Sequence, residues 1–314
     1  MSVSPDAVRA ALPAYRAAQE ALAHRIRESA ILAIGGRDRE AFLQGQLTQE
    51  VRGISIGESR PAAALSSKGK ILFPGTLVGA GDRLLLLIPG ACRAAAVEHL
   101  RKFAAFQRVT VEDGTEENVR IGLYGPRAAG LRPPLPGGLG LSRADEFAAD
   151  WLIPRSSRRE AEGSLAEAGS VEVDRATAEL LRVEAGRPRF GVDIDGTNLP
   201  DEAGLGSAIS ATKGCYVGQE IVARRRAYGR LNRRLVGYVF PDGPIPVGTI
   251  LARPRSPESP PDRTEAGRVT SSLLSPRLGP IGLGFAAHDV PVGGHLLAEG
   301  PSPRRAIVSA LPFA

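Results

Sequence analysis

From residue 229 onward, the chain consists of short apolar segments separated by glycine and proline. These segments cover residues 235–240, 250–251, 267–271, 281–285 and 306–311. They are too short for typical helices, and glycine and proline are the residues that most often end a strand and form a turn. Several short strands in succession, without helices between them, are typical of a small antiparallel barrel. We therefore expect a barrel at the C-terminal end of the chain.

The first two thirds of the chain mix helical and strand patterns. Apolar residues at helical spacing predict helices over residues 5–28, 39–48, 91–106 and 175–185. Short apolar runs predict strands over residues 30–34, 62–65, 70–78, 83–88, 109–112 and 119–124. Residues 125–145 and 154–170 are rich in Gly, Pro, Arg and Ala, and we expect them to form long surface loops with one short interruption around Trp151.

Charge and cysteine content narrow the class of protein. The net charge is +6, with 40 Lys and Arg against 34 Asp and Glu. Such a bias suits an acidic ligand or nucleic acid, although a diffuse excess often serves solubility alone. Two cysteines do not form a disulfide framework, and their spacing fits neither a zinc site nor a redox dithiol. With no signal-like apolar segment and no apolar run long enough for a bilayer, we expect a cytoplasmic protein without membrane contact.

The segment K-G-C-Y-V-G-Q-E, residues 213–220, surrounds Cys215 with polar residues and glycines. A thiol reacts or binds metal as the thiolate, which nearby cations and helix N-termini favour. Residues 219–224 read as the start of a helix and lead into an arginine cluster, so both influences are available. Buried free cysteines are common and inert, but these neighbours make a core position the weaker interpretation. Cys92 follows an apolar run, and we assign it to the core.

A second segment, L-R-V-E-A-G-R-P-R-F-G-V-D, places Glu184 at the end of a predicted helix. Pro188 disfavours helix at the residue before it, and a carboxylate at a helix C-terminus is locally unfavourable. One interpretation is a surface pair with Arg182 or Arg187, which would contribute little. The other is a carboxylate that accepts two parallel N–H bonds from a heterocycle or a guanidinium.

The chain resembles the YgfZ family of folate-binding, iron–sulfur-related proteins, which is similar in turn to T-protein, the aminomethyltransferase of glycine cleavage. The octapeptide at residues 213–220 matches the YgfZ signature and is highly specific. Other segments match at the level of the superfamily: F-L-Q-G-Q-L-T-Q-E-V (42–51), L-S-S-K-G-K-I (65–71), R-V-E-A-G-R-P (182–188), G-R-L-N-R-R-L-V-G (229–237), G-R-V-T-S (267–271) and R-A-I-V-S-A-L-P-F (305–313).

The resemblance implies an α+β fold with three subdomains around a central channel, the last being the antiparallel barrel. We accordingly expect a folate-binding, aminomethyltransferase-like region over residues 1–228, made of two interleaved subdomains, and a barrel domain over residues 229–314. The implied cofactor is tetrahydrofolate or a derivative, with Glu184 holding the pterin. The implied reactive residue is Cys215, supported by Lys213, Gly214, Tyr216, Gly218, Gln219 and Glu220.

A folate tail carries glutamate, so arginines are expected near it. The candidates are Arg224, Arg225, Arg226, Arg233 and Arg234, of which Arg224 and Arg233 are our choices. A solvated basic face remains an equal alternative, because three successive arginines on one helix cannot all point inward.

The chain departs from T-protein at one position that matters for chemistry. T-proteins use an aspartate shortly after the strand that residues 83–88 represent, whereas residues 88–97 contain no Asp or Glu. Aminomethyl transfer is therefore an alternative, and any enzyme activity would be that of a folate-dependent transferase.

The function that the resemblance implies is that of a folate-dependent factor in the assembly or repair of iron–sulfur clusters. A stable cluster needs about four thiolates, which two cysteines cannot supply, so any cluster would be shared with assembly proteins or client enzymes. A tRNA-modification role is a further alternative. Aromatic residues are only 5% of the chain, so we do not expect direct nucleic acid binding, and we expect a monomer.

Overall fold

The computed structural model describes residues 5–131, 137–141, 148–229, 231–254, 265–298 and 303–313. Within them the α-helices are α1 (Pro5–Glu20), α2 (Arg39–Gln46), α3 (Arg93–Ala104), α4 (Arg158–Glu167), α5 (Arg175–Glu184) and α6 (Gln219–Tyr228). None of these helices is long and apolar enough to cross a membrane.

The first five-stranded sheet combines a meander with one earlier and one later strand. Its strands are β2 (Ser29–Gly35), β3 (Ser59–Leu65), β4 (Ile71–Ala80), β5 (Arg83–Pro89) and β6 (Thr110–Asp113), in the order β3-β4-β5-β2-β6. Apolar side chains of α2 and α3, such as Leu43 and Leu100, pack against one face of this sheet. The predicted meander of β3, β4 and β5 is confirmed.

The second sheet contains a strand where a helix was predicted. Its strands are β1 (Ala23–Arg27), β7 (Asn118–Tyr124), β8 (Leu139–Leu141), β9 (Ala149–Pro154) and β10 (Val171–Glu172), in the order β10-β1-β7-β9-β8. The predicted helix over residues 5–28 is wrong beyond Glu20, because residues 23–27 pair with β7 and β10. The predicted loop over residues 154–170 is also wrong, because it contains α4, whose Ala161 and Leu165 pack under this sheet.

The predicted C-terminal barrel is confirmed. Its strands are β11 (Arg233–Val239), β12 (Ile250–Ala252), β13 (Gly267–Ser275), β14 (Gly279–Ala287), β15 (His295–Ala298) and β16 (Arg304–Ser309), and they close in the order β11-β14-β13-β12-β15-β16. All of their pairings are antiparallel. The chain therefore has an α+β fold of two sheets and a barrel. The division into two domains at residue 228 stays a prediction.

Two apolar clusters join these units and position the candidate site residues. One cluster packs α1 and α5 against the outside of β13 and β14, with Leu180, Val183 and Leu283 fully buried. The other packs α6 and the segment before it between β3, β4 and β14, with Val222 and Phe285 among its members. Glu184 ends the helix α5 of the first cluster, whereas Tyr216, next to Cys215, packs against the second.

Candidate functional site

The loop that carries Cys215 is fixed to the end of α2 by a buried lysine. Lys213 is only 6% exposed, and its ammonium donates to three carbonyls, those of Gln44 at 2.6 Å, Leu47, and Gln49 at 3.2 Å. An ammonium has three donors, so all of them are used on carbonyls at or just beyond the C-terminal turn of α2. Burial lowers the pKa of Lys213 to about 8.

The rest of the octapeptide completes this support. The ring of Tyr216 lies 4.9 Å from the Lys213 nitrogen, within range of a cation–π interaction. The backbone N–H of Val217 donates to Gly45 at 3.2 Å, and that of Tyr216 donates to the Gln219 side chain at 3.3 Å. The two backbone hydrogen bonds tie the loop to α2 and to the start of α6, and the cation–π contact packs Tyr216 against the anchoring lysine.

Gly218 allows the turn from this loop into α6. Its φ is +83°, a conformation that side chains other than glycine rarely adopt. A Cβ there would also lie 2.6 Å from the Ser66 carbonyl oxygen. By contrast, a Cβ on Gly214 would meet nothing within 4 Å, so neighbouring atoms do not require glycine at that position.

The two cysteines have opposite environments. Cys215 is exposed and Cys92 is buried. Cys92 belongs to the core of the first sheet, as predicted, and burial raises the pKa of its thiol. Among the described residues, no group of three or more His, Cys, Asp or Glu side chains could hold a metal ion. The octapeptide thus presents one exposed thiol on a fixed loop.

Arg224 and Arg233, the predicted folate-tail residues, lie near protein carboxylates. Arg224 pairs with Glu220 at 2.7 Å, and both side chains are largely exposed. The Nε of Arg233 is 3.6 Å from Glu202, and its guanidinium lies 4.9 Å from the centre of the Phe285 ring.

The neighbouring arginines also contact protein groups. Arg226 pairs with Asp201 at 2.8 Å. Arg234 donates to the carbonyls of His288 and Val290, both at 2.6 Å. Much of the basic cluster that the sequence suggested is therefore engaged in holding α6 and the barrel in place.

Glu184 is buried and links three elements. Its Oε1 accepts from the hydroxyls of Tyr15 in α1, at 2.9 Å, and of Ser275 in β13. Its Oε2 accepts from the same Tyr15 hydroxyl at 3.0 Å. Burial, together with the negative charge of Glu184, raises the pKa of Tyr15 to about 12, so this phenol remains a donor at neutral pH. Arg182, one of the two arginines suggested as a surface partner, pairs instead with Glu179 and Asp193.

A cleft of about 440 Å³ opens beside Glu184. Its charged lining consists of Glu184, Arg187 and Arg277, and its aromatic lining consists of Tyr124 and Phe313. Cys215, Arg224 and Arg233 do not line it.

The sequence did not reveal Arg277, Tyr15 or Ser275 as neighbours of Glu184. Arg277 lies just past the end of β13, in S-P-R-L-G. The only local signal at this position is the turn that Pro276 and Gly279 indicate. Tyr15 and Ser275 are 169 and 91 residues from Glu184. No local pattern connects them.

Arg182 forms a buried ionic network near the cleft. Its guanidinium pairs with Glu179 at 2.6 Å and Asp193 at 2.7 Å. Asp193 also accepts from the hydroxyls of Thr270 and Ser271, both at 2.6 Å. The two hydroxyls belong to β13, so this network attaches the barrel to α5 and to the loop after it.

The segment that lacks the T-protein aspartate lies at the end of β5 and the start of α3. A second cleft, of about 520 Å³, opens there, and the carboxylates that line it are Glu98 and Asp113. Asp113 pairs with Arg93 at 2.6 Å. Its carboxylate is thus bound to an arginine on the same cleft wall.

Comparisons with known proteins give the family. No family model matches the chain. It is 30% identical over 307 residues to an aminomethyltransferase of Rubrobacter xylanophilus, covering 90% of this chain and 80% of that protein. It is 26% identical over 240 residues to a tRNA-modifying protein YgfZ of Colwellia psychrerythraea, covering 71% of this chain and 73% of that protein.

A further relative and a solved structure agree with this result. The tRNA-modifying protein YgfZ of Escherichia fergusonii is 29% identical over 222 residues, covering 66% of this chain and 68% of that protein. The glycine cleavage aminomethyltransferase T of Bartonella henselae has the same fold, with a TM-score of 0.83 at 22% identity, over 97% of this chain and 89% of that one. The chain therefore belongs to the family that contains the aminomethyltransferases, or T-proteins, and the YgfZ proteins.

Proposed function

We propose that this protein is a cytoplasmic, folate-binding YgfZ-like factor that acts in the assembly or repair of iron–sulfur clusters, with Cys215 as its reactive thiol. One observation carries the proposal: the octapeptide uses Lys213, Tyr216 and Gly218 to hold a loop whose cysteine is left exposed. An inert cysteine needs no such support.

The cluster in this proposal is cargo. About four thiolates hold a stable cluster, and the chain has two cysteines, one of them buried. A cluster at Cys215 would therefore share its other ligands with a partner. The same thiol could attack a substrate sulfur or carry a persulfide, and all three roles require thiolate character and access.

The cleft beside Glu184 supports folate as the ligand. Oε2 accepts only from Tyr15 among the described contacts, and a carboxylate oxygen has two acceptor positions, so it can still accept an N–H from a pterin. Arg187 and Arg277 suit the glutamate tail, and Tyr124 and Phe313 suit a flat ring. Bound tetrahydrofolate would supply one-carbon chemistry, and the residues named here would hold and orient it.

Replacement of Cys215 by serine tests the thiol. We expect folding and folate affinity to be unchanged, because the side chain is exposed and lies outside the cleft, while the activity of cluster-dependent client enzymes in cells falls to the level of a deletion strain. The measurement is client activity in a deletion strain that carries each variant. The matched control is Cys92→Ala, which removes the buried thiol and should restore client activity. Full client activity with Cys215→Ser would contradict the proposal.

Calorimetric titration of folates tests the cleft. Charge-assisted hydrogen bonds contribute roughly 1.5–3 kcal/mol each, so we expect Glu184→Gln to weaken tetrahydrofolate binding by about tenfold or more. Glutamine keeps the shape and still accepts from Tyr15, which limits structural damage.

A pair of arginine variants serves as the control in the same titration. Arg277→Ala should weaken binding of a polyglutamylated folate more than Arg224→Ala does. The reverse order would move the tail to α6, as the sequence first suggested, and unchanged affinity in Glu184→Gln would remove the pterin assignment.

Aminomethyl transfer to tetrahydrofolate is the second candidate, favoured by the 30% identical relative that is named an aminomethyltransferase. The absence of an acidic residue in 88–97 argues against it, and the nearby Asp113 is paired with Arg93. Turnover of the purified protein with tetrahydrofolate and an aminomethyl donor would reverse the order of the two candidates. A role in tRNA modification follows from the first candidate, because modifying enzymes that contain clusters would lose activity without the factor.

A further inference from the structure

The end of α3 exposes two phenylalanines among positive charges. Residues 101–108 read R-K-F-A-A-F-Q-R, with three cations and no carboxylate. Phe103 is 42% exposed and Phe106 is 97% exposed. Lys102 and Arg108 are exposed beside them. We call Lys102, Phe103, Phe106 and Arg108 the α3 patch.

The α3 patch is not needed for packing the first sheet. The buried face of α3 consists of Ala96, Leu100 and Ala104, which belong to the core. Phe106 follows the helix and is almost entirely in solvent, so folding gains nothing from burying its ring. A single exposed apolar residue is ordinary, but two rings three residues apart, with cations on either side, form a specific chemical surface.

The α3 patch and the Cys215 loop rest on the same turn of α2. The ring of Phe103 lies 4.9 Å from that of His99, and the Nε2 of His99 lies 3.2 Å from the side-chain oxygen of Gln46. The carbonyl of Gly45, the residue before Gln46, accepts from the N–H of Val217. A short series of contacts thus connects the exposed rings to the loop that carries the thiol.

The neighbouring loop adds one more cation to this surface. The backbone N–H of Asp38 donates to the carbonyl of Arg108 at 3.3 Å, and the N–H of Arg108 donates to the Asp38 carboxylate at 3.2 Å. Arg37 is exposed next to this junction. The Asp38 carboxylate therefore accepts from the backbone of Arg108, while the side chains of Arg37 and Arg108 are exposed to solvent.

We propose that the α3 patch binds single-stranded RNA. Proteins that bind single strands combine aromatic rings, on which bases stack, with cations that contact the phosphates, and RNA loops offer unstacked bases for this purpose. The two rings form only a small apolar area, flanked by Lys102 on one side and by Gln107 and Arg108 on the other, which suits stacked bases with phosphates beside them better than a continuous apolar partner surface. This inference goes beyond the proposed function, because it requires a direct RNA contact and does not depend on the chemistry of Cys215. It also replaces the expectation of no direct nucleic acid binding, which rested on the low aromatic content of the whole chain and not on the exposure of Phe103 and Phe106.

Fluorescence anisotropy of the full chain tests the proposal. The probes are a labelled 12-nucleotide single-stranded RNA of mixed sequence and its duplex form, at several salt concentrations. We expect tighter binding to the single strand, and about a tenfold loss in Phe106→Ala, because one stacked base contributes on that scale. Lys102→Ala should reduce the salt dependence by about one phosphate contact.

The control variant is Ile250→Ala, which truncates a half-exposed apolar side chain on the barrel and should bind RNA like the wild type. Three outcomes would overturn the proposal: equal loss in Ile250→Ala and Phe106→Ala, unchanged binding in Phe106→Ala, or failure of the wild type to bind single strands. Binding to anionic lipid vesicles that Phe106→Ala abolishes, without RNA binding, would assign the patch to a membrane surface and overturn it as well.

Discussion

Replacement of Asp193 by alanine is expected to lower the free energy of unfolding by about 3–5 kcal/mol, the usual cost of breaking a buried ion pair from one side. Asp193 is 4% exposed. It accepts from Arg182, the N–H of Arg189, and the hydroxyls of Thr270 and Ser271. The substitution leaves these buried donors without their acceptor. The measurement is the urea denaturation curve of each variant.

The matched control removes a carboxylate from an exposed pair. Glu162 and Arg158 lie one turn apart on α4 and form an ion pair at 2.8 Å. Such pairs contribute about 0.3–0.5 kcal/mol, so Glu162→Ala should leave the denaturation midpoint nearly unchanged. Similar midpoints for Asp193→Ala and Glu162→Ala would show that the network between α5 and the barrel does not stabilise the fold.

Lys213→Met is expected to lower the free energy of unfolding by about 2–4 kcal/mol, because it leaves carbonyls of Gln44, Leu47 and Gln49 without their donor. Methionine fills a similar volume, so the loss reports the hydrogen bonds rather than a cavity. We also expect a changed rate of alkylation at Cys215, since the loop loses its attachment to α2. Denaturation and the rate of reaction with iodoacetamide measure the two effects.

Lys68→Met makes the same chemical change at an exposed position in the adjacent loop. It should alter stability by less than about 0.5 kcal/mol and leave the alkylation rate as in the wild type. If Lys213→Met behaved like Lys68→Met, the lysine of the octapeptide would have no anchoring role, and the observation that carries the proposed function would lose its basis.

Much of the fold follows from local patterns. The meander and five of the six barrel strands were predicted because each contains a short apolar run next to glycine or proline. The sixth barrel strand, β15, has only four residues and was not predicted. The segment over residues 23–27 was predicted as helix because its pattern continues that of α1, yet pairing with β7 and β10 makes it a strand. Non-local pairing decided the outcome there. Helix α4 was missed because only Ala161 and Leu165 face the core, too few to give a helical period.

In the candidate site too, some features were predictable from local sequence and others depend on distant contacts. The exposed position of Cys215 and the buried one of Cys92 were predictable, because their immediate neighbours differ in polarity. The acceptors of Lys213 lie 164 to 169 residues away in the sequence, and the contacts of Glu184 with Tyr15 and Ser275 span 169 and 91 residues. A single sequence gives the type of residue that a motif contains, but it does not give the partners that folding brings to it.

The attachment of the Cys215 loop to α2 has a consequence for the speed of any reaction at this sulfur. A thiol on a loop that is held in place cannot move toward its reactant, so the reactant must approach it in the correct orientation. The conformational entropy of the loop is lost during folding and not during the encounter with the reactant. The free-energy cost of each productive encounter is therefore lower. The rate of reaction would then depend on how well the surface around Cys215 binds and orients the reactant. Substitutions on that surface should slow the reaction even where they do not contact the sulfur.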